Sequence, residues 1–225
     1  MGCSAGEVSR VNAFALVSYI PGQLGRFLDE LRCELVPDST ARSHVTILPP
    51  RILEGPPDQG WREASEILRG AQPVEIELRE VEVFPVSRAI YLSIGLGFQE
   101  LERLHRRLNS GRLCFQEPFS FYPHVTLAQD VPPERVAEVA NYARERWADC
   151  RSAKRFQAER IVFVQNGVER PSGCSHWIDL AHCDLGRPSE PWEWSDDGSL
   201  SRTSPFGPLP SSAFPSVGGG GEGSR

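Results

Sequence analysis

The tetrapeptide HVTI at residues 44–47 recurs as HVTL at residues 124–127, and the rest of the chain is interpreted around these two copies. Apolar and polar residues alternate in each copy, which is typical of a β-strand whose two faces meet different environments. The apolar residues of each copy then point into a core, while the histidine and threonine project together from the other face. The polar residues of the two copies are His44, Thr46, His124 and Thr126.

The segments around the two copies repeat the same order of elements. Each half of the chain is predicted to contain a strand, a helix, the His-x-Thr strand, a second helix and a further strand. In the first half these elements fall at residues 12–20, 24–35, 44–50, 58–68 and 74–86. In the second half they fall at residues 89–97, 98–108, 119–129, 133–147 and 155–164, and one more strand is predicted at 174–185. We therefore expect two similar lobes, related by a pseudo-two-fold axis, with the two histidines in the cleft between them.

The domain organisation follows from where this pattern begins and ends. Residues 11–186 are predicted to form a single two-lobed domain, preceded by an N-terminal extension at residues 1–10. From residue 187 to 225 the composition changes to Pro, Ser and Gly. Such a segment cannot bury enough apolar surface to order itself, so we expect a disordered tail.

The composition excludes several classes of protein. The formal net charge of −6 argues against a protein that coats long nucleic acid with a basic face, although a nucleotide or an RNA end could still bind. No stretch is long and apolar enough for a membrane span, and the start of the chain lacks the features of a signal peptide. The six cysteines show no disulfide-framework spacing, which favours reduced thiols and a cytoplasmic location.

Two of the histidines outside the motifs lie near two cysteines at the end of the predicted domain, a combination that could indicate a zinc site. The candidate ligands are Cys174, His176, His182 and Cys183. In a strand the two histidines would lie roughly 20 Å apart, which is too far for one tetrahedral ion. We therefore predict no metal site. His105 lies among arginines on the polar side of its predicted helix, so it is expected to be exposed.

The duplicated His-x-Thr strands, spaced 80 residues apart in a two-lobed pattern, resemble the 2H phosphoesterase superfamily. The resemblance is to its branch of 2'-5' RNA ligase-like proteins and RNA 2',3'-cyclic phosphodiesterases, and it covers about residues 11–185. It implies an α+β fold in which two pseudo-symmetric lobes, each with an antiparallel sheet, form a central groove with helices outside. It also implies that the four motif residues are catalytic and that no metal or other cofactor is needed.

The chemistry of these residue types agrees with that resemblance. Cleavage of a phosphodiester needs a base for the attacking water and an acid for the departing oxygen, and two histidines can hold opposite protonation states near neutral pH. Hydroxyl groups of Thr46 and Thr126 can donate hydrogen bonds to the phosphate oxygens. The family pattern implies that His124 activates water and His44 protonates the ribose oxygen, but the sequence alone allows the reverse.

Candidate substrate-binding residues flank the two motifs. Tyr122 is expected on the same strand face as His124, where it could stack on a base, and Phe121 is a second aromatic candidate. Packing between the lobes is the alternative for both. Arg42 and Arg51 flank the first motif and could hold a second phosphate, although exposure to solvent is the simpler expectation for both.

One departure from the family pattern concerns the residues just after the second motif. Many members of this branch have a basic residue two or three positions beyond the second threonine, where this chain has Gln129 and Asp130. The difference weakens the transfer of RNA as the substrate more than it weakens the transfer of phosphoesterase chemistry.

The sequence therefore predicts a metal-independent phosphodiesterase that opens 2',3'-cyclic phosphates of nucleotides or RNA ends to 2'-phosphates. The prediction also allows a reverse 2'-5' RNA ligase activity. One alternative is a related enzyme acting on ADP-ribose cyclic phosphate or 2'-5' oligonucleotides, and another is a non-catalytic nucleotide- or RNA-binding module. The expected partner is thus a nucleotide or an RNA terminus, with no membrane, no stable protein partner and a monomeric state.

Overall fold

The computed structural model describes residues 7–37, 42–170, 175–186, 192–194 and 200–202. Its four α-helices are α1 (Gly22–Leu35), α2 (Pro57–Leu68), α3 (Phe98–Leu108) and α4 (Val136–Ala148). The strands of the first 186 residues are β1 (Glu7–Tyr19), β2 (His44–Arg51), β3 (Val74–Val83), β4 (Ile90–Ile94), β5 (His124–Ala128), β6 (Arg155–Ala158), β7 (Arg160–Arg170) and β8 (Ser175–Asp184). Short 3-10 helices lie at Gly111–Leu113 and Pro133–Arg135.

These strands form two antiparallel sheets of four, in the orders β2-β1-β7-β8 and β5-β4-β3-β6. The predicted α+β class with two antiparallel sheets is confirmed. Each His-x-Thr strand is the edge strand of its sheet, paired with the strand that begins its half of the chain. An edge strand has one side without a sheet neighbour, so the two motif strands can approach each other, and β2 indeed lies against β5.

The sheets do not coincide with the two halves of the sequence. The strand that ends the first half, β3, pairs with β4 in the second sheet, and β7 pairs with β1 in the first sheet. The repeated order of elements in the sequence does not reveal this exchange, because it predicts where a strand lies but not which sheet that strand joins. Neither half has a complete sheet of its own.

Alternation along the motif strands places the apolar residues inside, as predicted. Val45 and Ile47 of β2 are fully buried, and so are Val125 and Leu127 of β5. In β1 and β2 Tyr19 is opposite His44, and in β4 and β5 Ser93 is opposite His124. The histidine is thus held at the same kind of position in both sheets, which is the predicted pseudo-symmetry at the level of strand register.

The helices pack their apolar stripes across the two sheets. In α1 the buried leucines are Leu24, Leu28 and Leu31, the spacing that an amphipathic helix requires. This helix lies against β5, the motif strand of the second sheet, whereas α3 lies against β2 of the first. Each helix that precedes a motif strand therefore packs on the other motif strand.

Several predicted boundaries differ from the structure. The second motif strand is confined to His124–Ala128, because the residues before it, 114–123, are neither helix nor strand. The strand predicted at 155–164 is two strands, β6 and β7, divided at Glu159 between the two sheets. The break at one residue lets the chain pass from the second sheet to the first.

The C-terminal residues from Glu190 to Arg225 form a separate unit. Within it the structure describes only β9 (Trp192–Trp194) and β10 (Leu200–Arg202), which pair as an antiparallel ladder. The rest of the predicted tail, and most of the predicted N-terminal extension at residues 1–10, lie outside the described residues. No described helix has the length and hydrophobicity needed to cross a membrane.

Candidate active site

The two motif histidines are held by the same hydrogen bond. Nδ1 of His44 lies 2.6 Å from the carbonyl oxygen of Arg42, and Nδ1 of His124 lies 2.7 Å from that of Tyr122. A carbonyl oxygen only accepts hydrogen bonds, so Nδ1 must carry the proton on both rings. In each neutral histidine Nε2 is then the basic nitrogen. Both rings are thus fixed in the tautomer that leaves Nε2 for proton transfer.

Burial keeps both histidines neutral in the free protein. The pKa of His44 is lowered to about 4, first by burial, and further by the positive charge of Arg32 and by that of His124 when His124 is protonated. The Arg42 carbonyl and the Asp29 carboxylate act in the opposite direction. Burial also lowers the pKa of His124, opposed by its bond to the Tyr122 carbonyl. Because protonated His124 disfavours the charge on His44, the two rings are near enough to be electrostatically coupled.

Aromatic side chains surround His124. The centroid of its ring lies 4.9 Å from that of Phe84 and 5.4 Å from that of Tyr91, edge to face in both cases. The Phe84 and Tyr91 rings stack on each other, with their centroids 3.9 Å apart. The ring centroid of Tyr122 lies 6.0 Å from those of Phe84 and Tyr91 and 5.2 Å from that of Phe98. The Tyr91 hydroxyl donates to Glu82. This aromatic cluster places an apolar wall beside the second motif.

Sequence reasoning found Tyr122 but missed the other members of that cluster. Tyr91 is opposite Thr126 in the register of β4 and β5, so it was recognisable as a groove residue only once the pairing was known. Tyr122 is 38% exposed and therefore accessible to a ligand. Phe121 points elsewhere, since its ring stacks on His105 at 3.8 Å with an interplanar angle of 3°.

A polar cluster lies beside His44. Its ring meets Tyr19 edge to face at 6.2 Å, and the Arg42 guanidinium covers the Tyr19 ring at 3.7 Å. The Asp179 carboxylate accepts a 2.5 Å hydrogen bond from the Tyr19 hydroxyl and lies 3.6 Å from Arg42. Arg42, a predicted binding residue, therefore lies next to the first motif on an exposed surface. Tyr19 and Asp179 were missed because their strands carry no motif.

Arg51 and His105 are both more buried than the sequence suggested. Arg51 is 3% exposed, with Nη2 2.6 Å from Glu117 and further bonds to the carbonyls of Pro49 and Leu113. Because these groups occupy its guanidinium, Arg51 does not serve as an exposed phosphate ligand. The expected exposure of His105 is wrong: the ring is 6% exposed, and Nδ1 donates to the Ile47 carbonyl at 2.9 Å.

A cavity of about 990 Å³ adjoins the polar cluster at Tyr19 and Arg42. Its wall includes Arg155, Arg160 and Gln157, but neither motif histidine. Arg155 pairs with Glu77 at 3.0 Å and Arg160 with Asp184 at 2.6 Å. Its volume is at the upper end of the range of about 300–1,000 Å³ that ligand pockets span.

The structure offers no support for the alternative zinc ligands among the described residues. Ser175–Asp184 is an extended strand, as predicted, so His176 and His182 lie six positions apart along an extended chain. Cys174 lies outside the described residues. In the part of the chain that the structure describes, no group of three or more His, Cys, Asp or Glu side chains has the geometry of a metal site.

Two His-x-Thr edge strands, each from one of two pseudo-symmetric antiparallel sheets, define a class of two-lobed phosphoesterase folds. Residues 20–170 match the 2'-5' RNA ligase superfamily. The chain therefore belongs to the 2'-5' RNA ligase superfamily, within the 2H phosphoesterases.

Curated relatives are described as phosphoesterases. The chain is 30% identical over 111 residues to the "Putative phosphoesterase" of Geobacillus sp. (strain WCH70), covering 45% of this chain and 64% of that protein. It is 34% identical over 106 residues to the corresponding protein of Geobacillus kaustophilus (strain HTA426), covering 43% of this chain and 61% of that protein. The chain thus matches about three fifths of the length of these relatives.

Solved structures of LigT from E. coli share the fold. The complex of LigT with phosphate superposes with a TM-score of 0.55 at 15% identity, and the complex with 3'-AMP with a TM-score of 0.54 at 17% identity. Each match covers 80% of this chain and 100% of that chain. At such low identity the likeness establishes the common fold.

Proposed function

We propose that this protein is a metal-independent phosphodiesterase that opens 2',3'-cyclic phosphates to 2'-phosphates by acid-base catalysis between His44 and His124. The observation that carries the proposal is the identical Nδ1 hydrogen bond of the two histidines, which leaves Nε2 of each ring for proton transfer. A binding module would need donors to the phosphate but not two rings in this tautomer. Membership of the superfamily and the phosphate and 3'-AMP complexes of LigT support the same substrate class.

The proposed reaction uses each motif residue once. His124, neutral because burial lowers its pKa, takes a proton from water as the water oxygen attacks phosphorus. The bond from phosphorus to the ribose 3'-oxygen breaks, and His44 donates the proton that this oxygen gains. Thr46 and Thr126 donate hydrogen bonds to the non-bridging oxygens. The products are a 2'-phosphate and a 3'-hydroxyl. A 5'-hydroxyl that attacked phosphorus in place of water would form a 2'-5' linkage by the same ring opening.

His44 can act as an acid only if substrate binding raises its pKa. With a pKa of about 4 in the free protein, His44 is unprotonated at neutral pH. The negative charge of a bound cyclic phosphate favours the imidazolium form, so its pKa rises in the complex. Once protonated, the His44 imidazolium gives up its proton readily, because the site disfavours its charge. It is therefore a strong acid for the departing oxygen. The assignment of His44 as acid and His124 as base is the one that the family pattern implies.

Within this substrate class, the cavity favours an RNA end over a mononucleotide. A cyclic phosphate between the two motifs would place a base near the exposed Tyr122, and the cavity beside Arg42 offers room for a neighbouring nucleotide. Arginine has five N–H donors, so a guanidinium paired with one carboxylate can still bind a phosphate. The acidic net charge argues for contacts with a short RNA end rather than with a long strand.

The experiment is an assay of a 2',3'-cyclic mononucleotide and of a short RNA ending in a 2',3'-cyclic phosphate, both in the presence of a chelator. We expect turnover of both to 2'-phosphates, with the larger kcat/KM for the RNA. Arg160→Ala should reduce that preference while leaving mononucleotide turnover near the wild-type value. Tight nucleotide binding without any turnover would instead favour a binding module, and turnover of ADP-ribose cyclic phosphate or of 2'-5' oligonucleotides alone would favour the alternative enzyme.

A further inference from the structure

One turn of α1 contacts the backbone of the second motif strand and of the residue just before the first motif strand. Oδ1 of Asp29 accepts a 2.6 Å hydrogen bond from the backbone N–H of Ser43, the residue before His44. Three residues later, Nη1 of Arg32 donates to the backbone carbonyl of Thr126 in the second motif. Residues three apart lie on the same side of a helix, so a single helical turn holds one strand from each sheet.

Arg32 is an unusual residue for this position. Its side chain is 9% exposed, and its Nε is buried without a hydrogen-bond partner among the described residues. Burial lowers the pKa of Arg32, opposed by the charge of Asp29. A buried guanidinium is costly unless it is paired and hydrogen-bonded. Leucine or methionine would fill such a position at lower cost, so packing alone does not account for an arginine here.

The second lobe has a counterpart. Leu28, Leu31 and Arg32 of α1 have the same spacing as Leu101, Leu104 and His105 of α3. The His105 ring donates to the carbonyl of Ile47 in the first motif strand, as Arg32 donates to the carbonyl of Thr126 in the second. Each helix thus sends one buried N–H donor to the motif strand of the other sheet.

We propose that Asp29 and Arg32 are positioning residues that hold the two His-x-Thr strands at the separation and orientation that proton transfer through one phosphate requires. The inference rests on the proposed phosphodiesterase function for its kinetic consequences, but its structural part does not. Neither side chain needs to touch the substrate, since both act through the backbone of the motif strands.

The two charges also act on His44 in opposite directions. Arg32 lowers the pKa of His44 and Asp29 raises it. The other charged or titratable groups around His44 are His124 on β5, Tyr19 on β1, Arg42 just before β2, and Asp179 on β8 behind Tyr19 and Arg42. None of these residues is replaced by a substitution in α1, so the α1 variants each remove only the charge of Arg32 or of Asp29.

The test compares Arg32→Met, Arg32→Lys and Asp29→Asn with two exposed controls on the same helix, Arg26→Met and Glu30→Gln. NMR titration of His44 gives its pKa without reference to activity. We expect an upward shift in Arg32→Met, where a positive charge is lost, and a downward shift in Asp29→Asn, which keeps the hydrogen-bond acceptor. Arg32→Lys should leave the pKa of His44 low, and the controls should not move it.

Kinetics on the cyclic-phosphate substrate supplies the second readout. Displaced catalytic groups lower kcat by roughly tenfold to a hundredfold, so both Arg32 variants should show such a loss with little change in KM.

Unchanged kcat in both Arg32 variants, or shifts of the His44 pKa in the same direction in Arg32→Met and Asp29→Asn, would overturn the inference. If Arg32→Met does not fold, the absence of a downward shift in Asp29→Asn overturns it. A wild-type protein without turnover would contradict the proposed function, while the titration would still decide the role of α1.

Discussion

At the scale of single residues, the backbone carbonyl two positions before each motif histidine sets its chemistry. The carbonyls of Arg42 and Tyr122 fix the Nδ1–H tautomer, and burial then keeps both rings neutral. The sequence identified the four motif residues because His-x-Thr recurs in the same strand context. It could not identify the tautomer, because that depends on the path of the chain before each strand.

The lowered pKa of His44 has a consequence for stability. The unfolded chain binds a proton at this histidine below about pH 6.5, whereas the folded protein does so only near pH 4. The free energy of unfolding should therefore fall as the pH is lowered from 6.5 to 4, by about 3 kcal/mol from this group. Urea unfolding of the wild type and of His44→Gln across this window measures the difference.

Above pH 7 both proteins should show parallel stability curves, since His44 is neutral in the folded and the unfolded states there. Between pH 6.5 and 4 the wild type should lose more stability than His44→Gln. Equal losses in the two proteins would mean that the folded state does not disfavour the charge on His44.

At the scale of secondary structure elements, hydrophobic periodicity located each helix and the strands around the motifs. It succeeded for α1 and α3 because their leucines recur at the spacing of a helix face. It placed His105 on the polar side of α3 because arginines surround it in sequence. The structure buries this ring against Phe121 and the Ile47 carbonyl of β2, a contact between elements that local sequence does not encode.

The buried ion pair at the end of β2 is expected to stabilise the loop before the second motif strand. Arg51 joins Glu117 and the Leu113 carbonyl, so Arg51→Met removes the 2.6 Å ion pair and leaves the Glu117 carboxylate only the 3.5 Å contact with Nε2 of His105. Loss of one member of a buried pair costs about 3–5 kcal/mol, and we expect a loss of that size in urea unfolding. Arg103→Met, which removes an exposed pair with Glu100, should cost less than about 1 kcal/mol. Similar losses in the two variants would show that the buried network does not hold this loop.

At the scale of the whole molecule, the duplication is regular at the two motif strands but not in the sheets that the other strands join. The two motif strands have equivalent neighbours in register, but β3 and β7 each join the sheet of the other half. Strand exchange of this kind ties the lobes together through covalent chain connections as well as through packing. The sequence could predict the two lobes and their cleft, but it could not assign β3 and β7, because periodicity identifies a strand without naming its partner.

The two motifs of this molecule are proposed to form one catalytic unit, and turnover of a 2',3'-cyclic phosphate by the wild type, His44→Ala, His124→Ala and the double variant tests this most directly. Residues that act as a unit have non-additive effects. Each single variant is therefore expected to lose on the order of a thousandfold in kcat, and the double variant little more than either. Turnover that survived both substitutions would contradict the assignment of the two histidines as acid and base.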